Sequence, residues 1–466
     1  MRTVLTILFL FFSFSLWAQD TTTLNAEQYL QMVKQFHPVV RQSGIAVEKA
    51  GAGITSARAA FDPILSHYIT NKTFDGTNYY RYSSPEINIP TWYGITLYSG
   101  LENLNGSRYD PTQTAGKTSY AGISLPLAKN LVMDKRRAFL KQAKIFRNMA
   151  ETEQRQFIND LLLEAMEAYW NWVKAYETWK IVKTNAAINI VRFELVRKSF
   201  INGERAAIDT AEAATQLLGF QYEENRRRLE FTNAGLELSA YLWTQNNEPL
   251  NLPLNIIPQE GWENEANINR FNLSLNELLS LAEKHHPALR IYDSRLDILK
   301  IERKLKFQEL LPKVDFHYNF LSKGYTVPKG AFTAPFFENN YQYGLKLGIP
   351  LRLSEGRGAY RLAKLKIEET RLLQNMKEVE IQVKIKSYFN EWTNLKNQVA
   401  LQSRNYEYCR QLLQAEETRF FNGESSLFLI NSRENKVLEV LEKLVDLKTK
   451  YFKTLYSIQW SAGLLQ

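Results

Sequence analysis

Two stretches of the chain repeat each other, and this restricts the fold more than any count of residue types. Residues 24–40 read LNAEQYLQMVKQFHPVV and residues 273–289 read LSLNELLSLAEKHHPAL, an ungapped match at an offset of 249. The offset holds to Pro63 and Pro312. Farther on, Gly122 opens GISLPLAKN and Gly344 opens GLKLGIPLRL, with Pro126 opposite Pro350. Ala143, Trp172 and Gly203 then match Ala363, Trp392 and Gly423 at an offset of 220. Such self-similarity marks two copies of one plan: helix, strand, loop, strand, very long helix, turn, long helix. The first repeat covers 19–244, with strands at about 64–127 and a helical hairpin at about 135–244. A linker covers 245–272. The second repeat covers 273–466, with strands at about 313–351 and a hairpin at about 357–464.

Residues 1–18, MRTVLTILFLFFSFSLWA, carry one basic residue, an apolar stretch over 4–16 and the small Ala18 before polar sequence. This is the pattern of a secretory signal peptide, and its removal takes the formal charge from +9 to +8 by loss of Arg2. No later run of about 20 apolar residues exists to span a bilayer as a helix. The single cysteine, Cys409, excludes both a disulfide framework and a lipidated cysteine at the cleavage site. Positive charge is dispersed, which does not suit nucleic-acid binding by an exported protein. Five histidines without H-E-x-x-H or C-x-x-C spacing argue against a metal site. The phosphate, nucleophile and dinucleotide motifs are also missing, so neither an enzyme nor a cofactor is expected. His37 and His286 stand before Pro38 and Pro287 at equivalent turns, where a packing or capping role is expected.

The strands show period-two patterning. Val314, Phe316, Tyr318 and Phe320 alternate with Asp315, His317 and Asn319; Tyr341, Tyr343, Leu345, Leu347 and Ile349 alternate with Gln342, Gly344, Lys346 and Gly348. Ala121, Ile123, Leu125 and Leu127 repeat this around Gly122 and Ser124. A soluble sandwich would bring long loops and Greek-key neighbours, whereas apolar-out, polar-in strands of about 10 residues are the membrane-barrel pattern. Aromatic residues are 13 % of the chain, which suits a wall that meets lipid. The lipid-facing candidates are Phe316, Tyr318, Tyr343, Leu345 and Leu347. Two or three strand pairs cannot close a lumen, because even narrow barrels use about eight strands, so the barrel is shared between chains. Residues 78–117 include a stretch over 94–101 that alternates like a strand. The sequence leaves open whether they extend the barrel or form an outer loop.

After Asp134 the apolar residues recur at helical spacing, and no glycine or proline interrupts 135–202. A helix of that length, and its counterpart over about 357–421, needs a coiled-coil partner along its stripe. Return helices cover about 206–242 and 427–464. Both hairpins turn at similar sequences, Phe200-Ile-Asn-Gly-Glu204 and Phe421-Asn-Gly-Glu424, where glycine supplies left-handed backbone.

The leader, the duplicated halves, the strands before each hairpin, the strand ends Leu125-Pro126-Leu127 and Ile349-Pro350-Leu351, and the Asn-Gly-Glu tips together resemble the TolC family of outer-membrane efflux channels over about 24–463. The resemblance implies a mainly α fold with a transmembrane β-barrel and long antiparallel coiled-coil hairpins forming an α-barrel. It implies a homotrimer with a shared 12-stranded barrel in outer-membrane lipid, continuing as a helical tunnel into the periplasm. It also implies a passive exit duct of a tripartite efflux or type I secretion system, served by a periplasmic adaptor (membrane fusion protein) and an inner-membrane pump of the RND or ABC type. Asn202, Gly203, Glu204, Asn422, Gly423, Glu424 and Ser425 would form the periplasmic tip where the adaptor docks. There are departures from the family. Aspartates that ring the family's entrance correspond here to Leu429 and Ser432, so an acidic ring is not carried over. Of the family's closing latch, Asp209 matches the aspartate, but Ser425 and Phe420 replace its arginine and tyrosine partners. The gate is therefore expected among Arg205, Asp209, Phe420, Leu429, Ser432 and Arg433, with Arg205 or Arg433 pairing with Glu424. The alternative is a non-conducting periplasmic coiled-coil spacer, against which the strands argue.

Overall fold

The structure, a computed structural model, describes residues 23–465 except 109, 111–112, 254, 265–270, 329–330, 332–336 and 338–339. The expected leader lies outside the described residues. A two-residue strand β1 (Thr23–Leu24) precedes helices α1 (Ala26–Phe36) and α2 (Pro38–Arg58). Strands β2 (Ile64–Phe74), β3 (Thr77–Pro90), β4 (Thr96–Asn105) and β5 (Gly116–Pro126) follow, then α3 (Lys135–Ile201) and α4 (Ala207–Ser239). The short β6 (Ile257–Pro258) leads to α5 (Leu275–His285), α6 (Pro287–Gln308), β7 (Lys313–Lys323), β8 (Tyr341–Gly348), α7 (Ser354–Phe421) and α8 (Leu427–Ser461).

Local chemistry explains the boundaries. Asn25 and Gln28 form a capping box at the start of α1, the Asn25 side chain accepting from the Gln28 amide at 2.7 Å. Pro38 and Pro287 occupy the first turns of α2 and α6, where a missing amide costs nothing. The histidines before them cap: Nδ1 of His37 accepts from the Val39 amide at 3.3 Å, and Nδ1 of His286 from the Ala288 amide at 3.1 Å. Burial lowers the His37 pKa, which keeps the ring neutral and able to accept. With no glycine or proline inside it, α3 runs for 67 residues, about 100 Å at 1.5 Å per residue.

The chain divides into two compact units, and each draws segments from both sequence halves. One comprises Met1–Arg41, Ile158–Ser280 and Lys384–Gln466. Its core is aromatic. Trp172 is fully buried and stacks on Phe231 at 6.2 Å, and Trp179 stacks on the same ring at 5.5 Å. Tyr29 stacks on Tyr169, whose hydroxyl donates to the Leu24 carbonyl at 3.0 Å and so ties β1 to α3. Trp392 stacks on Tyr451 at 5.7 Å. The buried Asn159 side chain accepts from the Leu465 amide and donates to the Trp460 carbonyl, both at 3.1 Å, which holds the end of α8.

The second unit comprises Gln42–Phe157 and Leu281–Val383. It contains a six-stranded sheet in the order β2-β3-β4-β5-β7-β8, antiparallel throughout. The stretch left open by the sequence thus adds strands to the same sheet: β3 and β4 both lie within it. Registers such as Leu97 with Ile123, Ile123 with Tyr318 and Phe316 with Leu345 carry one face across the sheet. That face holds Leu65, Ile69, Ile87, Leu97, Ile123, Phe316, Leu345 and Leu347. The other holds Ser66, Thr70, Glu86, Glu102, Thr118, Asn319, Gln342 and Lys346.

Exposed apolar side chains confirm which face lacks cover within the chain: Tyr343 is 59 % exposed, Leu345 62 % and Leu347 71 %. Phe316 is half-buried. Tyr318 departs from the expectation of a lipid-facing side chain. It lies on the apolar face but is 1 % exposed, enclosed by Phe320, Phe337 and Tyr341 at ring distances of 4.9, 5.7 and 6.2 Å. Nearby, Ser119 donates to the Thr326 carbonyl, which brings the chain after β7 onto the same face.

Replacing Trp172 with alanine leaves a large void among Phe231, Tyr169 and their neighbours. The expected loss is about 3–5 kcal/mol, with Trp172→Phe retaining part of it, read from thermal unfolding of purified protein. An unchanged melting temperature in Trp172→Ala would contradict the packing described.

Candidate functional site

The two helical turns have the same backbone. At the end of α3 the Gly203 amide donates to the Phe200 carbonyl and the Glu204 amide to the Ser199 carbonyl, both at 2.9 Å. At the end of α7 the Gly423 amide donates to the Phe420 carbonyl at 3.1 Å and the Glu424 amide to the Arg419 carbonyl at 2.9 Å. Each pair satisfies two orphan carbonyls in the Schellman arrangement, and it requires the φ of 76° that both glycines adopt. The helices that leave differ. Ser426 caps α8 by accepting from the Leu429 amide at 3.4 Å, whereas Ala206 gives α4 no side-chain cap. Asp209 in the first turn of α4 compensates through the helix dipole.

The turns meet through side chains. The Arg205 guanidinium lies 4.1 Å from the centre of the Phe420 ring and 3.7 Å from an Asp209 oxygen. Arg205 therefore engages Asp209 and Phe420 in place of the expected Glu424, because a carboxylate one helical turn along is closer than one across the tips. Asp209, Arg205 and Phe420, all expected at the gate, are brought together. Ser425 donates to Glu416 at 2.5 Å, and Glu416 is buried. Asn202, Gly203, Glu204, Asn422, Gly423 and Glu424 are all exposed, as are Leu429, Ser432 and Arg433 on α8.

One cluster near the tips escaped the sequence reading. Glu434, 2 % exposed, accepts from Arg192 at 2.7 Å and from Asn189 at 3.1 and 3.2 Å, which links α8 to α3. Arg192 also reaches Glu417 on α7 at 3.8 Å. The signal was present: Leu427, Ile430 and Glu434 share one stripe, and a carboxylate on a buried stripe requires a cationic partner. Beside it Ile188, Val191, Leu195, Arg205, Phe420 and Phe421 line an open cavity of about 440 Å³. Among the described residues no group of His, Cys, Asp or Glu is arranged to hold a metal ion, and no helix is long and apolar enough to cross a membrane.

Solved structures share this fold along nearly the whole chain. The outer membrane protein VceC from Vibrio cholerae matches at 14 % identity with a TM-score of 0.63, over 94 % of this chain and 96 % of its own. The open state of the Neisseria gonorrhoeae MtrE outer membrane channel matches at 12 % identity and a TM-score of 0.64, over 95 % and 89 %. The Campylobacter jejuni CmeC outer membrane channel matches at 14 % and 0.62, over 94 % and 85 %. No family profile and no curated protein sequence matches the chain. At these identities the likeness is one of fold. The chain has the fold of the outer membrane channels, as its resemblance to the TolC family implied.

Glu434→Ala takes from the mostly buried Arg192 its nearest carboxylate and leaves it Glu417 at 3.8 Å. It is expected to cost about 3 kcal/mol, the range for breaking a buried pair by removing one partner. Arg205→Ala removes only a half-buried contact and is expected to cost under about 1.5 kcal/mol. Thermal unfolding of both variants checks the ranking, and a larger effect at Arg205 would contradict it.

Proposed function

We propose that the chain is a TolC-type outer-membrane exit duct: a passive, non-enzymatic conduit that carries efflux or secretion cargo outward. Three copies share one barrel in the outer membrane, and the helical hairpins stand in the periplasm. The observation that carries this reading is a sheet with exposed apolar residues on one face and Glu86, Glu102, Asn319 and Gln342 on the other. A helical spacer has no use for such a sheet, whereas a water-filled lumen surrounded by lipid requires both faces. The channel fold supports the same reading. The duplication of one plan in two halves supplies each copy with two hairpins, and the two matching turns supply each copy with two tips.

The tips are the docking end for a periplasmic adaptor, which couples the duct to an inner-membrane pump that supplies the energy. Asn202, Glu204, Asn422, Glu424 and Ser425 present the contact surface, and Gly203 and Gly423 hold its backbone. Arg205, Asp209 and Phe420 form the contact between tips that opening has to rearrange, while Leu429, Ser432 and Arg433 stand exposed on the helix after the second tip. The cation–π geometry of Arg205 on Phe420 replaces a latch of hydrogen bonds. Such a contact is weak enough, about 0.5–1 kcal/mol when exposed, to be undone by docking.

Charge reversal at Glu204 together with Glu424 is expected to leave the assembly and its melting temperature nearly unchanged, because both side chains are exposed at the turns. The same variant is expected to lose capture of the adaptor and to sensitise cells to exported compounds. Undiminished capture and export would place docking elsewhere. In the wall, Leu345→Arg is expected to cost about 2–4 kcal/mol near mid-bilayer, and Gln342→Arg little. Equal losses in refolding into lipid would overturn the assignment of faces.

A further inference from the structure

Among the described residues the sheet ends on two strands with one free side each: β2 pairs only with β3, and β8 only with β7. Both are long enough to matter and are richly exposed, with Leu65 at 78 % and Ile69 at 63 % on β2 matching Leu345 and Leu347 on β8. Hydrocarbon does not tolerate a row of unpaired amides and carbonyls. Six antiparallel strands also fix direction. The first and last run oppositely, so β8 of one copy laid against β2 of the next is antiparallel, and a ring of copies closes without a parallel seam.

The strands additional to the two-per-half plan are bound into this wall. Tyr120 on β5 donates to Glu86 on β3 at 2.6 Å, passing over β4 at Gly100, where an added Cβ would lie 2.5 Å from the tyrosine oxygen. Tyr82 on β3 and Thr118 on β5 both donate to Glu102 on β4, at 2.9 and 3.2 Å. At the other end Trp92, in the β3–β4 turn, stacks on Phe61 at 4.2 Å. A β2–β3 hairpin hanging outside a narrower wall would not carry polar bridges across three strands on the face that also holds Asn319 and Gln342.

We propose that β2 of one copy pairs with β8 of the next, and that three copies of the six-stranded wall close a barrel of eighteen strands rather than the twelve that the resemblance implies. This rests on the reading of the chain as a three-copy outer-membrane duct. Barrel diameter grows roughly linearly with strand number, so the bore is about half as wide again as that of a twelve-stranded barrel, in the range that leaves an aqueous channel. The wider wall carries Glu86 on β3 beside Glu102 on β4 on its polar face, so each copy contributes both carboxylates to the lumen.

The test uses the full chain carrying Cys409→Ser, with cysteines placed on the polar face at Ser66 or Thr70 of β2 and at Gln342 or Lys346 of β8. Oxidation in membranes is expected to give a covalent ladder ending at the trimer for at least one β2–β8 combination. No ladder is expected when the β2 cysteine is replaced by one at Thr96 or Tyr98 of β4. A β4–β8 ladder would mean a twelve-stranded wall of β4, β5, β7 and β8, and would overturn the inference while leaving the duct standing. Electron cryo-microscopy of the unmutated protein in lipid gives an independent count. Eighteen strands around a three-copy pore supports the inference. Twelve strands, whether from three copies or from two, overturns it. A monomer without a pore would overturn the duct as well.

Discussion

A β-strand points its backbone donors and acceptors along the sheet, and in hydrocarbon each has to meet a partner. The rest of this molecule depends on that constraint. The chain answers it with registers running unbroken from β2 to β8, broken only by a shift at Lys72 and Thr73. Among the described residues it answers only within the sheet, and one long edge of β2 and one of β8 stay unpaired. The apolar face, with Leu65, Ile69, Leu345 and Leu347 uncovered, makes sense only where water is absent or another surface supplies cover. The polar face has its own logic. Gly344 leaves room for the His317 ring, since a Cβ there would sit 2.1 Å from it, so bulky polar groups lie across neighbouring strands instead of crowding outward.

The helices solve a different problem with different means. They keep their backbone bonds internal, so their length is limited only by packing along the stripe. In the helical unit that packing is aromatic, with Trp172, Trp179 and Phe231 stacked on one side and Trp392 with Tyr451 on another. The hairpins are clipped together by Arg192 with Glu434 and by Arg227 with Glu442, at 2.7 and 2.9 Å. The first pair is nearly dry and is costly to break. The second is less buried, but Arg227 meets both Glu442 oxygens and also pairs with Glu223 and Glu230. Nearer the tips, Val196, Ala213 and Leu427 form a small buried cluster with Phe193 and Phe420 packed against it, and Arg205 lies over the Phe420 ring.

Much of this was legible in the sequence because it rests on local rules. The uninterrupted run from Lys135, the paired Asn-Gly turns and the His-Pro junctions each follow from propensity or backbone conformation, and the structure places α3, both Schellman turns and both histidine caps where those rules put them. What escaped depends on contacts distant in sequence. The Asp75-Gly76 pair, both with positive φ, is a hairpin turn signal that would have found β2 and β3. It was hidden because β2 mixes polar and apolar residues on both faces. Tyr318 obeys its alternation yet is buried, because Phe337, nineteen residues on, covers it. Arg205 had carboxylates at Asp209 and Glu424 within plausible reach, and only the geometry of the two tips chose between them.

A duct of this kind requires the assembled chain to be an open path through a lipid wall. The direct measurement is the current through single assemblies of the full chain reconstituted in planar bilayers. An open duct gives discrete conductance steps that report a water-filled bore lined by the polar sheet face. Insertion of correctly assembled protein with no steps at any voltage, with or without an adaptor, would contradict it and leave a non-conducting helical spacer as the better description.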